Sequence, residues 1–148
     1  MSCFVCDKHR ALDALPGGVI AADEHAVVSH LPPALPSGTV DAVYLGYLMV
    51  EARRHAPGLG DLRPEEAASV GRLASAAARA LRESEAAEHV YAAVIGHGVE
   101  HFHLHLIPRY PGTPREYWWT RVDEWPDAPR GGAADIAALA DRLRAALS

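Results

Sequence analysis

The chain of 148 residues contains no asparagine, no glutamine and a single lysine, Lys8, against thirteen arginines. The side-chain amides that usually read base edges and phosphates are therefore missing. Polar recognition must rest on the remaining polar side chains and on backbone groups. Positive charge is also scarce. The net charge of −5 argues against a protein that grips a nucleic-acid backbone. It does not bar a small phosphorylated ligand, for which one local imidazole or basic cluster is enough. No apolar run reaches the roughly 18 residues that a membrane span needs. The opening Met1-Ser2-Cys3-Phe4-Val5-Cys6 lacks the basic start and long apolar stretch of a signal peptide. The expectation is a cytoplasmic protein with neither a membrane nor a nucleic acid as partner. With 49% hydrophobic and 22% charged residues, the chain is globular and long enough for one real core.

Periodicity and breakers predict a single α+β domain over 1–148. Residues 18–22 and 26–30 read as a hairpin around Asp23-Glu24, followed by a Pro/Ser/Gly loop over 31–38. Residues 43–52 read as one long apolar strand. A helix is predicted from Pro64. Proline suits its first position, Glu65-Glu66 favour the positive end of the dipole, and Val70, Leu73, Ala77 and Leu81 keep helical spacing. Residues 90–95 are the next strand, and Gly96-His97-Gly98 turns the chain into another, closed by Pro108. A long segment follows, 111–131 beyond Tyr110, rich in Trp, Pro and Arg. Ile136, Leu139, Leu143 and Leu147 mark a C-terminal helix over 132–148. There is no internal repeat.

The strand His101-Phe102-His103-Leu104-His105-Leu106-Ile107 carries the strongest signal. Side chains alternate faces along a strand, so His101, His103 and His105 are predicted to share one face, about 7 Å apart per step. Phe102, Leu104 and Leu106 would anchor the other face in a core. Three imidazoles in a row suit proton, phosphate or metal chemistry. Cys3 and Cys6, the only cysteines, form a second signal as a C-x-x-C. A cytosolic chain disfavours a structural disulfide, and a redox C-x-x-C usually opens a helix after a strand. Zinc is the better reading, yet two thiolates are half of a tetrahedral site, and histidine is the natural donor for the rest.

The triad, followed by Pro108-Arg109-Tyr110, resembles the histidine triad (HIT) family, whose signature is His-x-His-x-His followed by apolar positions. Other blocks fall in the family's order. Cys3–Cys6 looks like the N-terminal C-x-x-C of the zinc-bearing branch. Gly46-Tyr47-Leu48-Met49-Val50-Glu51-Ala52-Arg53-Arg54-His55 resembles its apolar strand ending in histidine. Asp61-Leu62-Arg63-Pro64-Glu65-Glu66 resembles its helix entry, and Gly96-His97-Gly98-Val99-Glu100-His101 its lead-in to the triad.

This resemblance implies a HIT-like fold: an antiparallel sheet of about five strands with a long central helix and a C-terminal helix, dimerising edge to edge as a homodimer. It implies a nucleotide hydrolase or transferase acting at the α-phosphate of a phosphoramidate or dinucleoside polyphosphate. His103 would be the nucleophile, forming a nucleotidyl-histidine. His105 would hydrogen-bond the phosphate, and His101 completes the catalytic triad. In the zinc branch Cys3, Cys6, His55 and His101 would hold a structural zinc, with no organic cofactor. Alternatives are a phosphorylase or transferase, three histidines on a catalytic metal, and a nucleotide-binding module with little turnover. Several positions depart from the family pattern: His97 where it often has Gln, Tyr47 where it often has His, Ala52 in place of Pro. No acid near His30-Leu31-Pro32 matches the family's ribose-binding Asp. His97, His105, Trp118 and Trp119 are the expected substrate contacts, with the 111–131 segment serving as lid or as dimer contact. With no amide available, only weak discrimination of adenine from guanine is expected.

Overall fold

The computed structural model describes residues 2–148. Its centre is a five-stranded antiparallel sheet built from β1 (Val19–Ala22), β2 (Ala26–His30), β6 (Leu48–Ala52), β8 (His103–Arg109) and β7 (His89–Ala93), in that spatial order. The hairpin around Asp23-Glu24 is present, and the Asp23 carboxylate accepts from the His25 and Ala26 N–H groups. Two helices cover one face of the sheet: α2 (Pro64–Glu85) and α3 (Ala133–Leu147). Val70, Ala77, Leu81, Leu139 and Leu143 meet Val28, Leu48, Val50 and Leu106 there in one buried cluster. The opposite face carries a short N-terminal helix, α1 (Phe4–His9), and it is this face that holds the histidines.

The long strand expected over 43–52 is broken. β5 (Val43–Tyr44) leaves the main sheet and pairs with β9 (Arg130–Gly131), and β6 starts only at Leu48. The cause is Gly46, at φ +88°. A Cβ there would stand 2.2 Å from the Tyr110 hydroxyl and 2.9 Å from the Pro108 ring. Only glycine accepts both the conformation and the crowding. An apolar run conceals such a break because its hydrophobic pattern continues across it. The loop expected over 31–38 contains a small hairpin, β3 (Ala34–Leu35) with β4 (Gly38–Thr39).

The histidine strand also differs from the expectation. β8 begins at His103, so strand alternation accounts for His103 and His105 but not for His101. The Phe102 N–H donates to Ala56 O at 2.6 Å, which bends the entry toward the segment after β6. Pro108 does not close the strand, which runs on to Arg109. The Pro108 carbonyl accepts from the Tyr44 hydroxyl at 2.6 Å instead of taking part in the ladder with β6, which ends at Leu48–Leu106. β7 spans His89–Ala93, leaving Val94 and Ile95 exposed beyond its end. Segment 111–131 is ordered as two 3₁₀ turns, Arg115–Tyr117 and Trp119–Glu124, and β9. Val122 and Ala128 pack with Tyr44 and Ile107 in a second small core. Among the described residues no helix is long and apolar enough to cross a membrane.

Candidate active site and metal centre

Three chain segments converge on one cluster. Cys3 caps α1 and its Sγ accepts from the Cys6 N–H, so the C-x-x-C turn brings both sulfurs to one end of the helix. His55 follows β6, and His101 precedes β8. The Phe102–Ala56 backbone bond holds these two segments side by side. Cys3 Sγ lies 3.5 Å from His101 Nδ1. Cys6 Sγ lies 3.4 Å from both His55 Nδ1 and His101 Nδ1. The two Nδ1 atoms are 3.2 Å apart. All four donor atoms lie within 4.8 Å of one another.

These spacings fit a metal ion. Around a tetrahedral zinc, with Zn–S about 2.3 Å and Zn–N about 2.05 Å, sulfur–nitrogen edges come to about 3.5 Å and nitrogen–nitrogen edges to about 3.3 Å. The His101 tautomer agrees. Its Nε2–H donates to Ala52 O at 2.6 Å, and since a carbonyl only accepts, Nδ1 is left with its lone pair facing the cluster. Arg54 steadies the His55 segment by gripping the buried Glu66 carboxylate through two N–H bonds, at 2.8 and 3.1 Å, and by donating to Asp61 O.

Beside this cluster, β6 and β8 present a second constellation. Glu51 pairs directly with His103 and Met49 with His105, so all four point to the face under α1. The His103 and His105 rings are 5.0 Å apart. His103 Nδ1–H donates to His101 O at 2.7 Å, so in the neutral ring the lone pair sits on Nε2. Tyr47 sits 2.7 Å from His105 Nδ1 through its hydroxyl. Burial pushes the Tyr47 hydroxyl up to about 12 and, with the neighbouring His103, pushes His105 down to about 4. At neutral pH both are uncharged, with Tyr47 as donor and Nδ1 as acceptor. His105 Nε2 then carries the proton, and this buried atom has no partner among the described residues. It is a donor waiting for an acceptor.

His103 and His105 open onto a cleft of about 210 Å³ whose walls include Phe4, Val5, Leu31, Pro32 and Met49. Lys8 and Glu51 line it too. Burial alone would raise the Glu51 carboxyl, but His9 and Lys8 outweigh it and hold it below the usual range.

The structure therefore brings Cys3, Cys6, His55 and His101 into one cluster, and His103 with His105 into another. His97 lies on an exposed turn whose neighbours Gly98 and Val99, but not His97 itself, line the cleft. Trp118 and Trp119 stand apart from the cleft of their own chain. The Trp118 ring packs against the guanidinium groups of Arg109, at 3.7 Å, and Arg115, at 4.7 Å. Trp119 meets Tyr91 edge to face. Sequence reasoning noted Tyr47 only as a departure and missed Lys8 and Glu51 altogether. The one lysine of an arginine-rich chain, two positions past the C-x-x-C, was the available signal.

Comparison with known proteins agrees with this geometry. A family profile described as the HIT domain matches residues 22–112. No curated protein matches the sequence. Among solved structures, a Zn-bound histidine triad family protein from Mycobacterium smegmatis is 27% identical with a TM-score of 0.68, the alignment covering 99% of this chain and 94% of that one. A hypothetical histidine triad nucleotide-binding protein from Sulfolobus tokodaii is 14% identical with a TM-score of 0.72, covering 98% and 91%. A Hit-like protein from Bartonella henselae, solved with an unknown ligand, is 19% identical with a TM-score of 0.61, covering 86% and 85%. The profile spans most of the chain and includes the triad, so the protein belongs to the HIT domain family.

Proposed function

We propose that the protein is a nucleotidyl hydrolase or transferase that works through a covalent intermediate on His103. The observation that carries this reading is the His103 Nδ1–H bond to His101 O, which in the neutral ring puts the lone pair on Nε2, beside the cleft. In the first step the Nε2 lone pair attacks the α-phosphorus of a nucleotide conjugate. The P–N bond forms as the bond to the amine or phosphate leaving group breaks, and the leaving group takes its proton from solvent. The positive charge that develops on the His103 ring is stabilised through Nδ1–H by the His101 carbonyl. His105 Nε2–H donates to a phosphoryl oxygen as charge builds there. In the second step water, or another acceptor in a transferase, attacks the phosphorus, the P–N bond breaks, and the nucleotide product leaves. The test is to mix protein with a nucleoside phosphoramidate, quench in alkali where a phosphohistidine survives, and weigh the intact chain. A mass increase of one nucleotidyl group (a nucleoside monophosphate less one water), absent in His103→Ala, is expected. A catalytically competent protein that never carries this adduct would exclude the mechanism.

Cys3, Cys6, His55 and His101 would hold a zinc ion, a reading supported by their spacing and by the Zn-bound state of the Mycobacterium smegmatis relative. With four protein ligands such a site is closed. It supplies cross-linking between α1, the segment after β6 and the entry to β8.

Tyr47 acts as a positioning residue for His105. Tyr47→Phe removes the bond that fixes the tautomer and is expected to lower kcat about five- to tenfold with little change in KM, the effect of roughly one net hydrogen bond. Steady-state kinetics and a thermal melt measured together check this. An unchanged kcat would leave Tyr47 with packing as its only role.

A homodimer joined along the β7 edge is part of the same reading. β7 ends the sheet, and Val94, Ile95 and Trp119 are exposed on that side. Sedimentation velocity is expected to give twice the chain mass, and Trp119→Ala is expected to shift the equilibrium toward monomer. A wild-type monomer at micromolar concentration would remove the dimer from the proposal.

A further inference from the structure

Two charged side chains stand in the apolar part of the cleft, and nucleotidyl transfer uses neither. Lys8 Nζ lies 2.5 Å from Glu51 Oε2, with the two side chains 5% and 1% exposed. Their companions on the cleft wall include Phe4, Val5, Leu31 and Met49. Removing an ion pair from water is costly, and well-packed apolar residues would hold α1 on the sheet as well or better. The pair is a poor device for stability alone. As a device for recognition it is well made. An ammonium has three donors, and among the described residues Lys8 gives one, to Glu51. Glu51 turns its other oxygen to His9 Nε2 at 3.0 Å, so the carboxylate is held from both sides and the ammonium is held by it. Lys8 is also the only lysine or arginine in the cleft lining.

We propose that Lys8, braced by Glu51, reads the base of the bound nucleotide and selects one that presents hydrogen-bond acceptors, a 6-oxopurine, over a 6-aminopurine. This rests on the reading of the cleft as the nucleotide site. Glu51 is the cross-strand partner of His103, so the Lys8–Glu51 pair stands one strand away from the nucleophile. A nucleotide whose α-phosphorus meets His103 has its nucleoside in the adjoining apolar volume, against Phe4, Val5 and Met49. The edge of guanine or hypoxanthine offers O6 and N7 as acceptors, the pattern lysine matches. Adenine places an amino donor where O6 would be and turns N–H toward N–H. Each Glu51 oxygen is already turned to a donor of its own, Lys8 or His9, and so faces away from an adenine amino group. No side-chain amide exists in the chain to serve instead. The weak base discrimination expected from the missing amides is thereby replaced by a definite preference.

The test is calorimetric titration of the metal-loaded protein with inosine and adenosine 5′-monophosphates, which differ at the purine 6-position. Inosine monophosphate is expected to bind at least about tenfold tighter, the scale of a good base-edge contact. The Lys8→Met/Glu51→Leu double variant removes both charges together and leaves no buried partner unpaired. Its melting temperature is expected at or above the wild-type value, and the affinity ratio should fall below about threefold. Should that variant fail to fold, Lys8→Met alone is read by the same ratio. A wild-type ratio near one, a preference for adenosine, or a preference that survives in a folded variant overturns the assignment. Binding of monophosphates needs no turnover. A protein that prefers inosine monophosphate but never forms the His103 adduct would therefore keep this inference and lose the covalent mechanism. A protein that binds neither nucleotide loses this inference, while the His103 adduct still decides the mechanism.

Discussion

His103→Ala is expected to lower turnover of a nucleoside phosphoramidate by roughly 10⁴-fold or more, the scale of losing a covalent nucleophile. The loss should fall on kcat, because in the proposed mechanism His103 gives the attacking lone pair while the cleft walls give the binding. The fold should survive. His103 is half-buried at the start of β8, and its one polar partner is the His101 carbonyl. His105→Ala should cost less, because it removes a donor to the phosphoryl oxygens and leaves the nucleophile in place. Kinetics of the two variants at matched metal content, with nucleotide binding measured separately, separate these roles. A His103 variant with near wild-type kcat would move the chemistry to another group.

Cys6→Ala is expected to cost the metal and a large part of the stability. The wild-type protein should contain about one zinc per chain, and the variant well below one. Structural zinc contributes directly to folding free energy. For a chain of this size 1 kcal/mol moves the melting temperature by about 2–4 °C, so a loss of several kcal/mol lowers it on the order of 10 °C. Cys6 Sγ lies 3.4 Å from Nδ1 of both His55 and His101, so its removal opens the link between α1, the segment after β6 and the entry to β8 in one step. Chelation of the wild-type protein should reproduce the drop, and zinc should reverse it. Elemental analysis with melting curves decides the matter. A native chain that binds no metal, or a Cys6→Ala chain that melts like wild type, would count against the centre.

What could be read from the sequence follows from which patterns are local. His103 and His105 share a face because they are two apart in a strand, and alternation needs no knowledge of the neighbours. Helix α2 was legible through Pro64, the acidic first turn and the spacing of Val70, Ala77 and Leu81. The thiolate pair was legible as a motif, but its partners His55 and His101 came from the family resemblance, since no spacing rule links Cys6 to residues 49 and 95 positions away. Register was illegible. Glu51 reads as one polar residue in an apolar strand, and only the pairing of β6 with β8 sets it opposite His103. Lys8 reads as a solvated lysine until α1 is laid over that pair. The break at Gly46 was hidden for a related reason. It is enforced by Tyr110 and Pro108, more than 60 residues away in the chain.

Helix α1 has six residues, and it serves two sites at once. Cys6 on it, and Cys3 at its cap, face the metal cluster, while Phe4, Val5 and Lys8 wall the cleft. An element shared in this way couples the two occupancies by thermodynamic linkage. Whatever factor metal binding adds to nucleotide affinity, nucleotide binding must add to metal affinity. If zinc fills the cluster and nucleotide the cleft, losing the metal would loosen α1 and with it the cleft wall that Phe4, Val5 and Lys8 form. Under the same condition nucleotide would raise the affinity for the metal, so that the proposed substrate would guard the centre that shapes its pocket.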